Sequence, residues 1–200
     1  MIYLDNAATS FPKPPMVVRA MAGTLQKLGG NPGRSGHALS LCGGRIIQRC
    51  RELLAEAFDA PAPENVIFFP SCTEALNTAI RGTLCEGDEV ICSHAEHNAV
   101  MRVLKGLEEQ GAIRVRMLAP NSLGLIAPEA LTAAITPRTA LCVICHASNV
   151  TGVVQPVQQL SRALKPYGVP LLVDAAQTAG CIPIDMEAMG IDVLCFTGHK

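Results

Sequence analysis

The sequence predicts an α/β fold, a mostly parallel sheet with helices on both faces. Three observations predict it. Short apolar runs alternate with longer amphipathic stretches along the 200 residues. Hydrophobic residues make up 49% of the chain and charged residues 16%, enough for a sizeable core and too apolar for disorder. The apolar runs are continuous rather than alternating, as in strands buried on both faces.

The elements follow in order. Helices are expected near Pro15–Leu28 and Leu39–Phe58, ahead of the first apolar run, Val66–Phe69. Ser71, with Glu74 three residues on, has capping-box spacing and opens a helix over Thr73–Arg81. Strands are then expected at Glu89–Cys92, Ile113–Leu118, Ala140–Cys145, Pro170–Asp174 and Asp192–Phe196. Helices lie between them at Asn98–Gln110, Pro128–Ile135, Val157–Lys165 and Ile184–Met189. There is no internal repeat and no low-complexity tract.

Charge and composition exclude several function classes. Sixteen Lys+Arg against 17 Asp+Glu leave a net charge of -1. That balance supplies neither a nucleic-acid footprint nor a polybasic membrane anchor. No run reaches the ~18 apolar residues of a membrane span. The start, Met1-Ile2-Tyr3-Leu4-Asp5, carries no signal-like block, so a cytoplasmic location is expected. The nine cysteines are odd in number and sit mainly in apolar runs, which fits reduced thiols better than a disulfide framework.

Ligands of parallel sheets bind at the carboxyl ends of the strands. Those ends are loaded here. Pro70-Ser71-Cys72-Thr73-Glu74 follows one run, Ser93-His94-Ala95-Glu96-His97-Asn98 the next, and His146-Ala147-Ser148-Asn149 a third. Asp174 closes Leu171-Leu172-Val173-Asp174, with Gln177 three residues on, and Thr197-Gly198-His199-Lys200 follows the last run. Singly, each has a plain reading: a helix cap at Ser71 or Asp174, a solvated lysine, a loop histidine. Together they offer an anion cradle at a helix start, a carboxylate, a flat imidazole and an amine. Pyridoxal 5'-phosphate needs that set for its phosphate, ring nitrogen, ring face and aldehyde.

The ordered pieces resemble the class V aminotransferase-like enzymes of fold type I, in the branch of cysteine desulfurases and selenocysteine lyases. They are Tyr3-Leu4-Asp5-Asn6-Ala7-Ala8-Thr9-Ser10, Gly30-Asn31-Pro32, Arg34-Ser35-Gly36-His37, Ser71-Cys72-Thr73-Glu74-Ala75, Glu96-His97-Asn98-Ala99, Ser148-Asn149-Val150-Thr151-Gly152, Val173-Asp174-Ala175-Ala176-Gln177 and Gly198-His199-Lys200. The resemblance implies that Lys200 holds the cofactor as a Schiff base and moves the substrate's α-proton. It implies that Asp174 pairs with the pyridine nitrogen and that His97 stacks on the ring. Gln177 would bond the phenolic oxygen, with Asn149 nearby. Cys72 through its N–H, Thr73, Thr197 and His199 would hold the phosphate. Cys72 stands where the family has glycine or alanine, and is read as a small replacement rather than a nucleophile.

The activity so implied is removal of sulfur from L-cysteine, giving alanine and an enzyme persulfide. A homodimer is expected, with a sulfur-accepting protein as partner. The alternatives are another class V enzyme, such as an aminotransferase, selenocysteine lyase or kynureninase-like enzyme, or a non-catalytic module. Residues 1–14 are expected to form an arm and 15–200 the large domain. The sulfur-accepting cysteine, the substrate-carboxylate arginine and the small domain are expected beyond Lys200. So is the antiparallel strand that would join Val66–Phe69 to Asp192–Phe196. Residues 1–200 are accordingly expected not to fold autonomously.

Two other patterns carry less. Cys142-Val143-Ile144-Cys145-His146 matches a haem-attachment spacing, but residues three apart on a strand point to opposite faces. Cys92, His94 and His97 lack a fourth metal ligand, and no metal is expected.

Overall fold

The computed structural model describes residues 2–28, 30–34 and 36–200, so Ser35 of the Arg34–His37 motif lies outside the described residues. The chain divides into two compact units. One comprises Met1–Ile67 together with His199, the other Phe68–Gly198 together with Lys200.

The first unit is built on two helices, α1 (Pro15–Lys27) and α2 (Ala38–Phe58). Proline at the first position of α1 costs no hydrogen bond, because that N–H has no intrahelical acceptor. His37 caps α2, its Nδ1 accepting from the Ser40 N–H at 3.3 Å. Before α2 the chain passes very close at Gly30. A Cβ there would lie 2.5 Å from the Leu39 carbonyl carbon.

The second unit carries a five-stranded sheet. Its strands are β1 (Glu89–Ser93), β2 (Arg114–Leu118), β3 (Thr139–Cys145), β4 (Leu171–Asp174) and β5 (Val193–Cys195). All pairings are parallel, in the order β2-β1-β3-β4-β5. Five helices accompany them: α3 (Cys72–Thr83), α4 (Asn98–Glu109), α5 (Pro128–Ala134), α6 (Val157–Leu164) and α7 (Met186–Met189). Leu76 and Ile80 of α3 and Val100, Val103 and Leu104 of α4 pack on Val90, Cys92, Leu141, Val143 and Leu172 of the sheet. The intervening residues Ile91, Cys142 and Ile144 are also fully buried, and face the other way by the strand's period of two. On that side Leu131 of α5 and Leu160 and Leu164 of α6 are buried.

The expected strand at Val66–Phe69 is not formed. Val66 is extended, at φ -87° and ψ 114°, but the run belongs to no ladder among the described residues. An apolar extended run becomes a strand only when a neighbour completes its hydrogen bonds. The other five strands stand where the apolar runs put them.

The amino end of the sheet is tied by Glu89, which is 7% exposed. It accepts from Arg116 Nε at 3.2 Å and Nη2 at 3.0 Å, and from the hydroxyls of Thr136 and Thr139. The Arg116 guanidinium holds its carboxyl below the usual range, aided by both threonines and opposed by burial. No described helix is long and apolar enough to cross a membrane.

Candidate active site

The parallel register sets the site. Cys145, Asp174 and Cys195 are register partners across β3, β4 and β5, so they form one row at the carboxyl edge. Asp174 is 3% exposed. Its Oδ1 accepts from the Ala176 N–H at 2.9 Å and makes a long contact, 3.9 Å, with the Cys72 thiol. Burial pushes the Asp174 carboxyl up. The Ala176 N–H, the nearby charges of His97 and Lys200 and the Cys72 thiol pull it back without offsetting burial.

Four expected site residues are therefore brought together electrostatically: Asp174, His97, Lys200 and Cys72. His97 caps α4, and its Nδ1 accepts from the Ala99 N–H at 3.1 Å. That bond places the ring proton of the neutral form on Nε2. Lys200 is half-buried.

Ser71 caps α3, accepting from the Glu74 N–H at 3.2 Å. The first two helical N–H groups, those of Cys72 and Thr73, have no intrahelical acceptor and lie at the positive end of the helix dipole. The Cys72 thiol is pushed up to about 12, mainly by burial and then by the Asp174 charge. A thiol so raised is held in its protonated form at neutral pH. Cys92 and Cys195 are likewise pushed to about 12 by burial, and Cys142 and Cys145 higher still. All nine cysteines are free thiols.

The remaining expected residues lie on separate segments. Thr197 and Gln177 are half-buried, just past β5 and in the turn after β4, and Asn149 is exposed beyond β3. His199 groups with the first unit. Its Nδ1 lies 3.2 Å from the Thr9 hydroxyl, and its carbonyl accepts from Thr9 Oγ1 at 2.8 Å, from the Ser10 N–H at 3.2 Å and from Lys13 Nζ.

One site residue went unassigned in the sequence. Glu96 is buried beside His97, and its Oε1 accepts from Ser93 Oγ at 2.6 Å and from the Cys145 N–H at 3.0 Å. Its sequence traces are the Ser93-x-x-Glu96 spacing and its place in Glu96-His97-Asn98-Ala99, neither of which assigns it a role. Among the described residues no group of three or more His, Cys, Asp or Glu is arranged to hold a metal.

The donor set fits pyridoxal 5'-phosphate. A carboxylate held up by burial is completed by a ring N–H⁺, an amine stands near it, and the free N–H groups of Cys72 and Thr73 at the start of α3 can take an anion. Comparison with known proteins points the same way. The family model for aminotransferase class-V matches residues 2–200. A cysteine desulfurase of Nostoc is 39% identical over all of this chain and 50% of its own length. A probable cysteine desulfurase of Borreliella burgdorferi is 32% identical over all of this chain and 48% of its own length. Among solved structures, the apo cysteine desulfurase of Thermococcus onnurineus superposes with a TM-score of 0.91 at 28% identity, over all of this chain and 50% of that one. SspA in complex with cysteine superposes at 0.92 and 30% identity, covering 57% of that chain. The chain thus spans about half the length of the curated relatives it matches.

Proposed function

The chain belongs to the class V aminotransferase family, and from that premise we propose that it is the cofactor-holding part of a pyridoxal 5'-phosphate-dependent cysteine desulfurase. The observation that carries the reading is the meeting of buried Asp174 with the charges of Lys200 and His97 at the carboxyl edge of the sheet. The names of the relatives and the cysteine-bound neighbour favour L-cysteine as substrate.

Pyridoxal 5'-phosphate, when bound, supplies an electron sink for the α-carbon of an amino acid. Asp174 would accept a hydrogen bond from the protonated ring nitrogen and so keep that proton on the ring. Lys200 Nζ would hold the cofactor's carbonyl carbon and take the substrate's α-proton. His97, held by its bond to Ala99, would lie against the ring. Gln177 and Asn149 would serve the phenolic side, and Cys72 N–H, Thr73 and Thr197 the phosphate. On this reading the persulfide is carried by a thiol other than Cys72. In the whole protein this reading includes a homodimer and delivery of sulfur to an acceptor protein.

Borohydride reduction of the cofactor-loaded protein, followed by peptide mapping, tests the reading. The label should fall on Lys200. Lys200→Ala should abolish the reducible link while retaining measurable cofactor affinity. Asp174→Asn should lower α-proton exchange on L-cysteine by at least tenfold, with a smaller loss of cofactor affinity. A label elsewhere, or unchanged exchange in Asp174→Asn, overturns it.

A further inference from the structure

Glu96 joins two strands at the point where the sheet reverses. The order β2-β1-β3-β4-β5 means that the chain winds outward from β1 to β2, then returns to β3 and continues the other way. The crevice between β1 and β3 is the switch point, where open α/β sheets ordinarily take ligand. Here a side chain fills it. Glu96 Oε1 binds the Ser93 hydroxyl at the end of β1 and the Cys145 N–H at the end of β3. Ser93 Oγ in turn accepts from the Ala95 N–H at 3.1 Å, closing the 93–96 turn on itself.

Glu96 Oε2 is buried with no hydrogen-bond partner in the structure. An ionised oxygen so placed has nothing to solvate it, whereas a carboxyl that keeps its proton has no charge to solvate. Charges around the site act in the same direction. Asp174 faces Glu96 from β4, and the thiols of Cys92 on β1 and Cys142 and Cys145 on β3 interact with it as well. Any of them, when negative, favours the protonated form of Glu96. Burial is the largest influence and pushes its carboxyl up to about 7, against the bonds from Ser93 and Cys145.

We propose that Glu96 is a positioning residue: its buried, neutral carboxyl closes the crevice between β1 and β3, fixes the turn that presents His97, and leaves Asp174 to carry the negative charge. The proposal rests on the cofactor reading above for its purpose, but not for its structural content. Two neighbouring carboxyl groups in one site are divided by environment, one kept neutral and one charged. Asp174 receives the N–H of Ala176 and the charges of His97 and Lys200, while Glu96 keeps one buried oxygen with no hydrogen-bond partner.

The test compares the whole wild-type protein with Glu96→Gln, Glu96→Ala and Asp174→Asn. Infrared spectroscopy of the cofactor-free protein just below neutral pH should show the stretch of a protonated carboxyl. That band should vanish in Glu96→Gln and persist in Asp174→Asn. In the same cofactor-free samples, the His97 Nδ1 signal should stay in place in Glu96→Gln and move in Glu96→Ala. With pyridoxal 5'-phosphate added, Glu96→Gln should bind within about threefold of wild type. Glu96→Ala should bind at least tenfold more weakly, with altered circular dichroism of the bound cofactor. Absence of a protonated carboxyl lost in Glu96→Gln, or an unmoved His97 signal in Glu96→Ala, overturns the proposal. If Glu96→Ala does not fold, the Glu96→Gln spectra still decide it. Failure of the wild-type protein to bind cofactor would overturn the functional reading and leave the infrared and His97 results to judge Glu96.

Discussion

Helix α4 buries Ala99, Val100, Val103 and Leu104, whereas α1, of nearly the same length, buries nothing. Met16, Val17, Val18, Met21 and Leu25 of α1 are all exposed, as are Leu39, Leu41 and Leu53 of α2. Among the described residues of the first unit, Ala55 is the one hydrophobic side chain counted in the buried core. Both helices satisfy their backbone locally, so secondary structure alone does not separate them. What separates them is burial, worth roughly 1.5–3 kcal/mol for each large apolar side chain removed from water. In this structure the second unit has that stabilisation, and the first unit has helices with little behind them.

The largest expected effect would break the contrast if it failed. Leu104→Ala empties a fully buried position and should cost about 2–5 kcal/mol in urea unfolding. Leu25→Ala, at an 80% exposed position, should change stability by no more than about 0.5 kcal/mol. A loss of core size at Leu25 would show that α1 is covered in solution.

The next effect confines a pH dependence to the second unit. Burial pushes the Glu96 carboxyl up to about 7 in the folded state, against 4.5 ordinarily. Between those values the folded protein keeps a proton that the unfolded chain has released. The stabilisation is therefore complete below about 4.5, declines as pH rises, and is lost above about 7. It amounts to on the order of 3 kcal/mol. Melting curves from pH 4.5 to 8 should show a steeper decline in the wild type than in Glu96→Gln, where only the raised Asp174 carboxyl still contributes in that direction.

The smallest effects sharpen the picture inside the first unit. Gly30→Ala must displace the Leu39 and Ser40 backbone and should cost about 1–3 kcal/mol. Gly23→Ala, in the interior of α1 with nothing within 4 Å of the added carbon, should gain about 0.5–1 kcal/mol. Opposite signs in thermal melts would mark Gly30 as a tight point in an otherwise loose unit.

Much of this was legible before the structure. Unbroken apolar runs located five strands within a residue or two, because a strand buried on both faces has little polar sequence to confuse it. The Ser71 cap and its bond to Glu74 followed from spacing alone. Val66–Phe69 joins no ladder among the described residues, because a strand depends on its partner and the strand to pair with it is expected beyond Lys200. Helix α7 came out as Met186–Met189 rather than Ile184–Met189, since Asp185 caps it through the Ala188 N–H. Within the site, Asp174, His97, Lys200 and Cys72 were legible as strand-end chemistry, and the structure brings them within electrostatic reach. Glu96 was not. Nothing local separates a glutamate facing solvent from one folded under a sheet, and its partner Cys145 lies 49 positions away.

The arrangement of the site on separate strand ends bears on how such a protein changes over time. Asp174 ends β4, whereas His97, Asn149 and Lys200 follow β1, β3 and β5, and the register of β3, β4 and β5 is set within the strands rather than by those three loops. A substitution or insertion in one loop can alter what the site accepts without shifting the acid on β4. Substrate preference can drift loop by loop while the sheet is inherited intact. Selection on what the site accepts and selection on folding thus act on different residues of the same chain.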